Sequence, residues 1–199
     1  MAIKDLAIGH KIIIVVALAA LLPLLAVAYY ANLNSSETLE SNALSSMDFK
    51  AQGVASHIQT FVDMVKQDAV FIVGVPPIQG IVRARDNKGF DEQDKSTYDA
   101  WVGRLDIIFS NFGKAKPYYY KLRYLDENGN EMLRVDFKGG EAKVAAAAVL
   151  LNQAKSPYFI ETMKLSAGQV HVSDFNLDRE GGRIVEPHTP VVRFGIPVF

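Results

Sequence analysis

Length, composition and charge limit what this chain can be. Its 199 residues are enough for one globular domain with added elements, and its net charge of −1 argues against a nucleic-acid partner. Because the chain has no cysteine, a disulfide framework, a thiolate metal site and a cysteine nucleophile are all excluded.

The first predicted element is a membrane helix. Residues 12–31 contain no charged side chain, and roughly 20 apolar residues are needed to cross a bilayer. Lys4 and Lys11 precede this run, and the next basic residue is Lys50. The positive-inside rule therefore predicts a cytoplasmic N-terminus at 1–11, one membrane span and export of the rest of the chain.

A cleavable signal peptide is the alternative interpretation of the same segment. Ala26-Val27-Ala28 resembles a cleavage site, and cleavage there would release an exported solute-binding or structural module. The apolar run is longer than the usual core of roughly 7–15 residues in a signal peptide, which favours a retained anchor. Both interpretations place residues 34–199 outside the membrane.

A long stalk helix is predicted next, over residues 34–75. Its apolar residues recur at three- and four-residue steps, as in an amphipathic helix, and the prolines that follow end it. Leu39, Leu44 and Met47 lie in the part near the membrane and need something to pack against. The choices are a second copy of the chain or a later part of the same chain, and we expect a homodimer through this helix.

Residues 76–199 are predicted to form a globular part with mixed structure. Helices are expected at about 76–86 and 93–112, and alternating residues between 118 and 137 predict a β-hairpin. Asn-Gly at 128–129 predicts its tight turn. An alanine-rich short helix within 141–154, a short helix after Ser156 and several strands follow. This order predicts an α+β fold with an antiparallel sheet backed by helices.

Two stretches in this part carry a resemblance to a known family. They are "YLDENGNEMLRVD" and "GQVHVSDFNLDREGGRIVEPHTPVVRFGIPVF". Together with the membrane and stalk helices, they resemble the double Cache, PAS-like sensor regions of bacterial receptors. The resemblance implies an inner-membrane protein with a periplasmic sensor and a role in signal transduction, either in a two-component system or in chemotaxis. It also implies that the family region continues past residue 199 to an output module, such as a histidine kinase or a cyclic-di-GMP enzyme.

The resemblance further implies a small-molecule pocket and its residues. Relatives that bind amino acids carry an arginine and then tryptophan-tyrosine at the start of the short helix, with an aspartate on a later strand. Here Ser156 stands in place of the arginine, and Tyr158 and Phe159 replace the aromatic pair. Because no arginine is present there to bind a carboxylate, an amine or a neutral ligand is expected rather than a free amino acid. The expected ligand-binding residues are Tyr118, Tyr120, Tyr158, Asp174 and Arg193.

Each of these residues also has an ordinary structural interpretation. The tyrosines of the hairpin could cover a half-buried strand, and Asp174 could cap a turn. Arg193 could meet an anion from its strand, but an ion pair with Asp136 or Glu131 across the sheet is the commoner outcome.

Catalytic and metal motifs are not found in the sequence. It lacks the G-x-S-x-G, H-E-x-x-H and glycine-rich phosphate-loop patterns, and the spacing of His171, Glu186 and His188 matches no metal-ligand pattern. We therefore expect no enzyme, no metal and no cofactor here, and a periplasmic enzyme is the least favoured alternative. The sequence as a whole predicts the extracytoplasmic small-molecule sensor of a membrane receptor.

Overall fold

The chain divides into two compact units, which are described separately. They are Met1–Thr60, here called the helical unit, and Phe61–Phe199, here called the globular unit. The structure is a computed structural model that describes residues 7–199, without the side chains of residues 33–37. Lys4, which was used above to predict the orientation, lies outside the described residues.

Helix forms residues 8–60 of the helical unit and part of the globular unit. The helices are α1 (Ile8–Val73), α2 (Pro76–Asp86), α3 (Tyr98–Ala115) and α4 (Pro157–Thr162), with a 3-10 turn at Ala147–Val149. Among the described residues, the segment Ile8–Asn32 is the one helical stretch long and apolar enough to cross a membrane, and none of it is buried within the chain.

Local sequence explains where α2 and α3 begin. Pro76 lies in the first turn of α2, where its missing N–H costs nothing. The Thr97 side chain caps α3 by accepting a hydrogen bond from the Ala100 N–H at 3.2 Å. This cap explains why α3 starts at Tyr98, later than predicted.

The globular unit contains short antiparallel strands around one larger sheet. The strands are β1 (Phe90–Asp91), β2 (Ser96–Thr97), β3 (Lys121–Leu125), β4 (Glu131–Lys138), β5 (Glu141–Val144), β6 (His171–Val172), β7 (Asn176–Leu177), β8 (Arg179–Glu180), β9 (Arg183–Ile184), β10 (Pro190–Val191) and β11 (Phe194–Gly195). The larger sheet has the order β3-β4-β5, and the others form the pairs β1-β2, β8-β9, β10-β7 and β11-β6. The predicted α+β fold with an antiparallel sheet is confirmed.

The predicted hairpin is present as β3 and β4, but its turn differs from the prediction. Asp126 closes the loop, because its Oδ1 accepts hydrogen bonds from the backbone N–H groups of Asn128 at 2.9 Å and Asn130 at 2.7 Å. Within this loop, positive φ is found at Gly129 and not at Asn128. An aspartate-capped loop therefore replaces the predicted two-residue turn.

The predicted alanine-rich helix within 141–154 is wrong. Gly139 and Gly140 both have positive φ, which turns the chain back so that β5 pairs with β4. The alanines that follow form only the 3-10 turn. Pairing with the sheet therefore outweighs the helix propensity of alanine in this segment.

The core of the globular unit lies between α2, α3 and the sheet. Leu105 and Val135 are fully buried at its centre. A Cβ placed on Gly80 would lie 2.3 Å from the Trp101 ring, and one on Gly113 would lie 2.1 Å from a ring atom of Phe137. These two glycines therefore let large aromatic side chains pack directly against helix backbone.

A buried carboxylate fastens the β1 segment to both helices. Asp91 accepts hydrogen bonds from Arg83 NH2 on α2 at 2.8 Å and from Trp101 Nε1 on α3 at 3.0 Å. The hydrogen bond from Arg83 lowers the pKa of Asp91 to about 2. Because the carboxylate is fully paired, its burial does not leave an uncompensated charge in the core.

Candidate ligand-binding site

A large cavity lies within the globular unit. Its volume is about 770 Å³, which is in the usual range for small-molecule sites, roughly 300–1,000 Å³. Its walls come from β3 and the residues just before it, from α4, from the end of α1 and from residues 190–199. This cavity is the candidate ligand-binding site.

The structure brings four of the five predicted ligand-binding residues to this cavity. Tyr118, Tyr120, Tyr158 and Arg193 are part of its lining. Asp174 is not, and it occupies an exposed position between β6 and β7. A tyrosine-rich wall with one arginine is therefore present, but the acid predicted to complete it lies elsewhere.

Five polar lining residues are linked to one another by hydrogen bonds and ring contacts, and they are here called the polar cluster. Arg123 NH1 donates to the Tyr158 hydroxyl at 3.3 Å, and the Arg193 guanidinium lies 5.6 Å from the centre of the Tyr158 ring. Asp178 is 3% exposed and accepts from Arg193 NH2 at 2.9 Å and from Lys121 Nζ at 3.3 Å. Arg193 therefore pairs with this acid, and the alternative of a pair with Asp136 or Glu131 is wrong.

A second layer of charges supports the polar cluster from outside the cavity lining. The Glu131 side chain is fully buried, and its Oε1 lies 2.9 Å from Arg123 Nε and accepts from Gln153 Nε2 at 2.9 Å. Arg134 faces Arg123 across the β3–β4 ladder and donates to Glu131 Oε2 at 3.4 Å. One buried carboxylate therefore allows two arginines to lie side by side.

Glu180 provides a further negative charge in this layer. Burial raises its pKa, but the hydrogen bond from Lys121 and the charges of Lys121, Arg134 and Arg123 outweigh that effect and leave it lowered. In the polar cluster, burial raises the pKa of Tyr158, so its hydroxyl stays protonated at neutral pH.

The lining also contains a carboxylate on α1, and the group around it is here called the Asp68 cluster. Asp68 accepts hydrogen bonds from the hydroxyls of Tyr118 at 3.1 Å and Tyr119 at 2.8 Å, and it forms an ion pair with Lys116. Burial raises the pKa of Asp68, but the hydrogen bonds from Lys116, Tyr119 and Tyr118 outweigh it and hold the pKa below its usual value. The cluster ties the end of α1 to the segment that leads into β3.

Sequence reasoning missed Lys121, Arg123, Asp178 and Asp68 as lining residues. Two signals were available for three of them. Lys121 and Arg123 are two residues apart on a predicted strand, so they share one face. Asp68 lies three residues after the buried Val65 on the apolar side of a predicted helix, where a lone carboxylate needs a partner. Asp178 follows a two-residue strand, and no local pattern indicates its burial.

The fold and the cavity define the class as an α+β domain with a cavity of the size typical of small-molecule sites. The chain belongs to the family of bacterial histidine kinase sensor domains, whose model matches residues 99–199. The resemblance to sensor regions of bacterial receptors is thereby confirmed. No curated protein matches the chain.

Two solved structures share the fold. One is the extracellular domain of a protein described as the histidine kinase vpHK1S-Z8, with 20% identity, a TM-score of 0.59 and coverage of 71% of this chain and 46% of that one. The other is a domain of a sensory box/GGDEF family protein from Vibrio parahaemolyticus, with 19% identity, a TM-score of 0.59 and coverage of 71% and 49%. The chain thus spans about half the length of these domains.

Family membership also answers the question of catalysis. This is a family of sensor domains, so the prediction that the present region is not an enzyme is confirmed. Within residues 7–199, no three His, Asp or Glu side chains are grouped to hold a metal ion, and His171, Glu186 and His188 form no such group.

Proposed function

We propose that this chain is the extracytoplasmic sensing region of a membrane-anchored signalling receptor and that the cavity of the globular unit binds a small molecule. The observation that carries the proposal is a cavity of about 770 Å³ in a member of a sensor domain family. Its tyrosine-rich wall offers apolar rings with polar ends. Tyr118, Tyr120, Tyr158 and Arg193 are the proposed contacts, and Asp174, which lies outside the lining, is not one of them.

Signal transmission is proposed to run through α1. The Asp68 cluster attaches the end of α1 to the cavity wall, since Asp68, Tyr118 and Tyr119 all line the cavity. A ligand that binds one arrangement of this cluster more tightly would shift the populations toward that arrangement. In the whole protein, a histidine kinase or a cyclic-di-GMP module would receive the shift on the other side of the inner membrane.

A homodimer through α1 is part of the proposal. Leu39, Leu44 and Met47 are 69%, 60% and 67% exposed, although apolar side chains of this size favour burial. A second copy of the same helix would cover them in a symmetric way.

A cavity-filling substitution tests the site. Ala69 lies on α1 and lines the cavity, so Ala69→Trp should occupy it. Ala55→Trp places the same ring on an exposed position of the same helix and is the matched control. The full chain in lipid nanodiscs is screened by thermal shift against amines, amino acids, carboxylates and neutral metabolites.

We expect at least one compound to stabilise the native chain and the Ala55→Trp variant but not Ala69→Trp. Ligand at 100 times its Kd adds about 2.7 kcal/mol of stability, which is readily measured. Binding that survives Ala69→Trp unchanged would exclude the cavity as the site.

A further inference from the structure

The charges that line the cavity are balanced overall, because four cations (Arg85, Lys121, Arg123 and Arg193) and four acids (Asp68, Asp126, Glu127 and Asp178) are part of the lining. The polar cluster is the exception, since it contains three of the cations and one acid, Asp178. Glu131 pairs with Arg123 and Glu180 pairs with Lys121, but neither acid is part of the lining. A ligand at the polar cluster therefore meets more positive than negative side chains.

Two side chains of the polar cluster, Tyr158 and Arg123, have hydrogen-bond donors without an acceptor. Tyr158 accepts a hydrogen bond from Arg123, and among residues 7–199 none is found in which the Tyr158 hydroxyl donates its own proton. Arg123 Nε is paired with Glu131, whose Oε1 lies 2.9 Å away. Arg123 NH2 is buried and makes no hydrogen bond, and the Glu180 oxygen lies 3.6 Å from it. The unused groups are therefore two donors, the Tyr158 O–H and Arg123 NH2, which an acceptor on a ligand would satisfy.

The two acids of the lining that are buried offer no free place for an ammonium group. Asp178 is paired with Lys121 and Arg193, and Asp68 is paired with Lys116 and two tyrosine hydroxyls. An amine would have to displace one of these partners. An anion at Tyr158 would displace none of them.

We propose that the cavity binds a ligand through an anionic head group, a carboxylate, placed at Tyr158, Arg123 and Arg193. The Tyr158 hydroxyl and the guanidinium of Arg193 donate to the carboxylate, and Arg123 NH2 donates to the same oxygens while Arg123 Nε stays paired with Glu131. Guanidinium groups bind carboxylates through charge-assisted hydrogen bonds. Two such groups, those of Arg123 and Arg193, lie next to the Tyr158 side chain. The apolar body of the ligand lies against the tyrosines and residues 190–199.

This inference rests on the proposed function, and it changes the expected ligand class. The expectation of an amine or a neutral ligand followed from Ser156, which stands where related receptors carry an arginine. The fold supplies arginines from β3 and from the segment before β11 instead. Absence of an arginine at 156 therefore does not leave the cavity without a carboxylate partner.

Three probes that differ only in the head group test the inference. They are benzoate, benzylamine and benzyl alcohol, titrated by calorimetry into the full chain in lipid nanodiscs at constant ionic strength, with empty nanodiscs subtracted. We expect the Kd of benzoate to be about tenfold lower than that of either other probe, as charge-assisted hydrogen bonds imply.

Substitutions in the polar cluster test whether benzoate binds there. Arg193→Gln and Tyr158→Phe should each raise the Kd of benzoate by about fivefold or more, because each removes a donor to the carboxylate. Arg183→Gln removes an exposed arginine on β9 that is not in the lining and should leave the Kd unchanged. If Arg193→Gln fails to fold, Tyr158→Phe decides, since it removes only a hydroxyl.

The outcomes separate this inference from the proposed function. Benzylamine or benzyl alcohol binding as tightly as benzoate, and lost in Ala69→Trp, would overturn the anionic head group and leave the cavity as a sensor site. Failure of all three probes would also overturn the inference, and the Ala69→Trp screen would still test the proposed function. Benzoate binding that is equally weakened by Arg183→Gln would show a general charge effect and overturn the assigned contacts.

Discussion

The two units of this chain differ in how far they bury the same residue type. Leu105 in the globular unit is fully buried between α2, α3 and the sheet, whereas Leu44 in the helical unit is 60% exposed. Val65 on α1 belongs to the globular unit and is 3% exposed, although it continues the helix that carries Leu44. Apolar periodicity therefore identifies a helix, and only the neighbouring elements determine what its apolar face contacts.

A matched pair of substitutions tests this comparison and has the largest expected effect. Leu105→Ala should lower the free energy of unfolding of the globular unit by about 2–5 kcal/mol, because it leaves a cavity in a packed core. Leu44→Ala should change it by less than about 0.5 kcal/mol. The single tryptophan, Trp101, reports the unfolding of this unit in urea. Equal losses from the two substitutions would contradict the division into separate units.

The buried carboxylates of the globular unit should make its stability sensitive to acid. The pKa of Asp91 is about 2 in the folded chain and about 3.9 in an unfolded one. A lowered pKa adds stability above the unfolded value, and this stability is lost as the pH falls from roughly 4 toward 2. We therefore expect the free energy of unfolding to fall across this range.

Asp91→Asn tests how much of this pH dependence of stability comes from Asp91. The variant should be less stable than the native chain at pH 7, and the difference should shrink at pH 3. Glu92→Gln, at the exposed neighbouring position, is the control and should keep the native pH profile. An unchanged loss of stability between pH 7 and pH 3 in Asp91→Asn would show that other groups set the acid response.

Cross-linking in membranes should identify what covers the apolar residues of the helical unit. Single cysteines at Leu44 and Met47 should form disulfide cross-links between chains if a homodimer covers these residues. Cysteines at Lys50 and Gln52 are the controls, and the native chain contributes none of its own. Equal cross-linking at all four positions would leave α1 as a spacer without a specific dimer face.

The sequence predicted the helices better than the strands, for a physical reason. The periodicity of α1 and the proline at the start of α2 are local signals, and both helices were located from them. β5 depends on pairing with β4, which no local signal in an alanine-rich segment reveals. The short strands between residues 171 and 195 are likewise defined by their partners.

The same distinction explains the candidate site. Tyr118, Tyr120 and Tyr158 were located because aromatic residues stand out in the sequence and the resemblance indicated their place. Asp174 and Asp178 are four residues apart in one irregular segment, and only the pairing of Asp178 with Arg193 and Lys121 determines which acid faces the cavity.

The proposed function requires the globular unit to lie outside the membrane, and labelling of cysteines with an impermeant reagent shows on which side it lies. The native chain has no cysteine, so Arg183→Cys in the globular unit and Ala7→Cys before the apolar segment each give one reactive thiol. Intact spheroplasts are treated with a membrane-impermeant maleimide before and after permeabilisation. We predict that Arg183→Cys is labelled at once and Ala7→Cys only after permeabilisation. Labelling of Arg183→Cys only after permeabilisation would contradict an extracytoplasmic sensor.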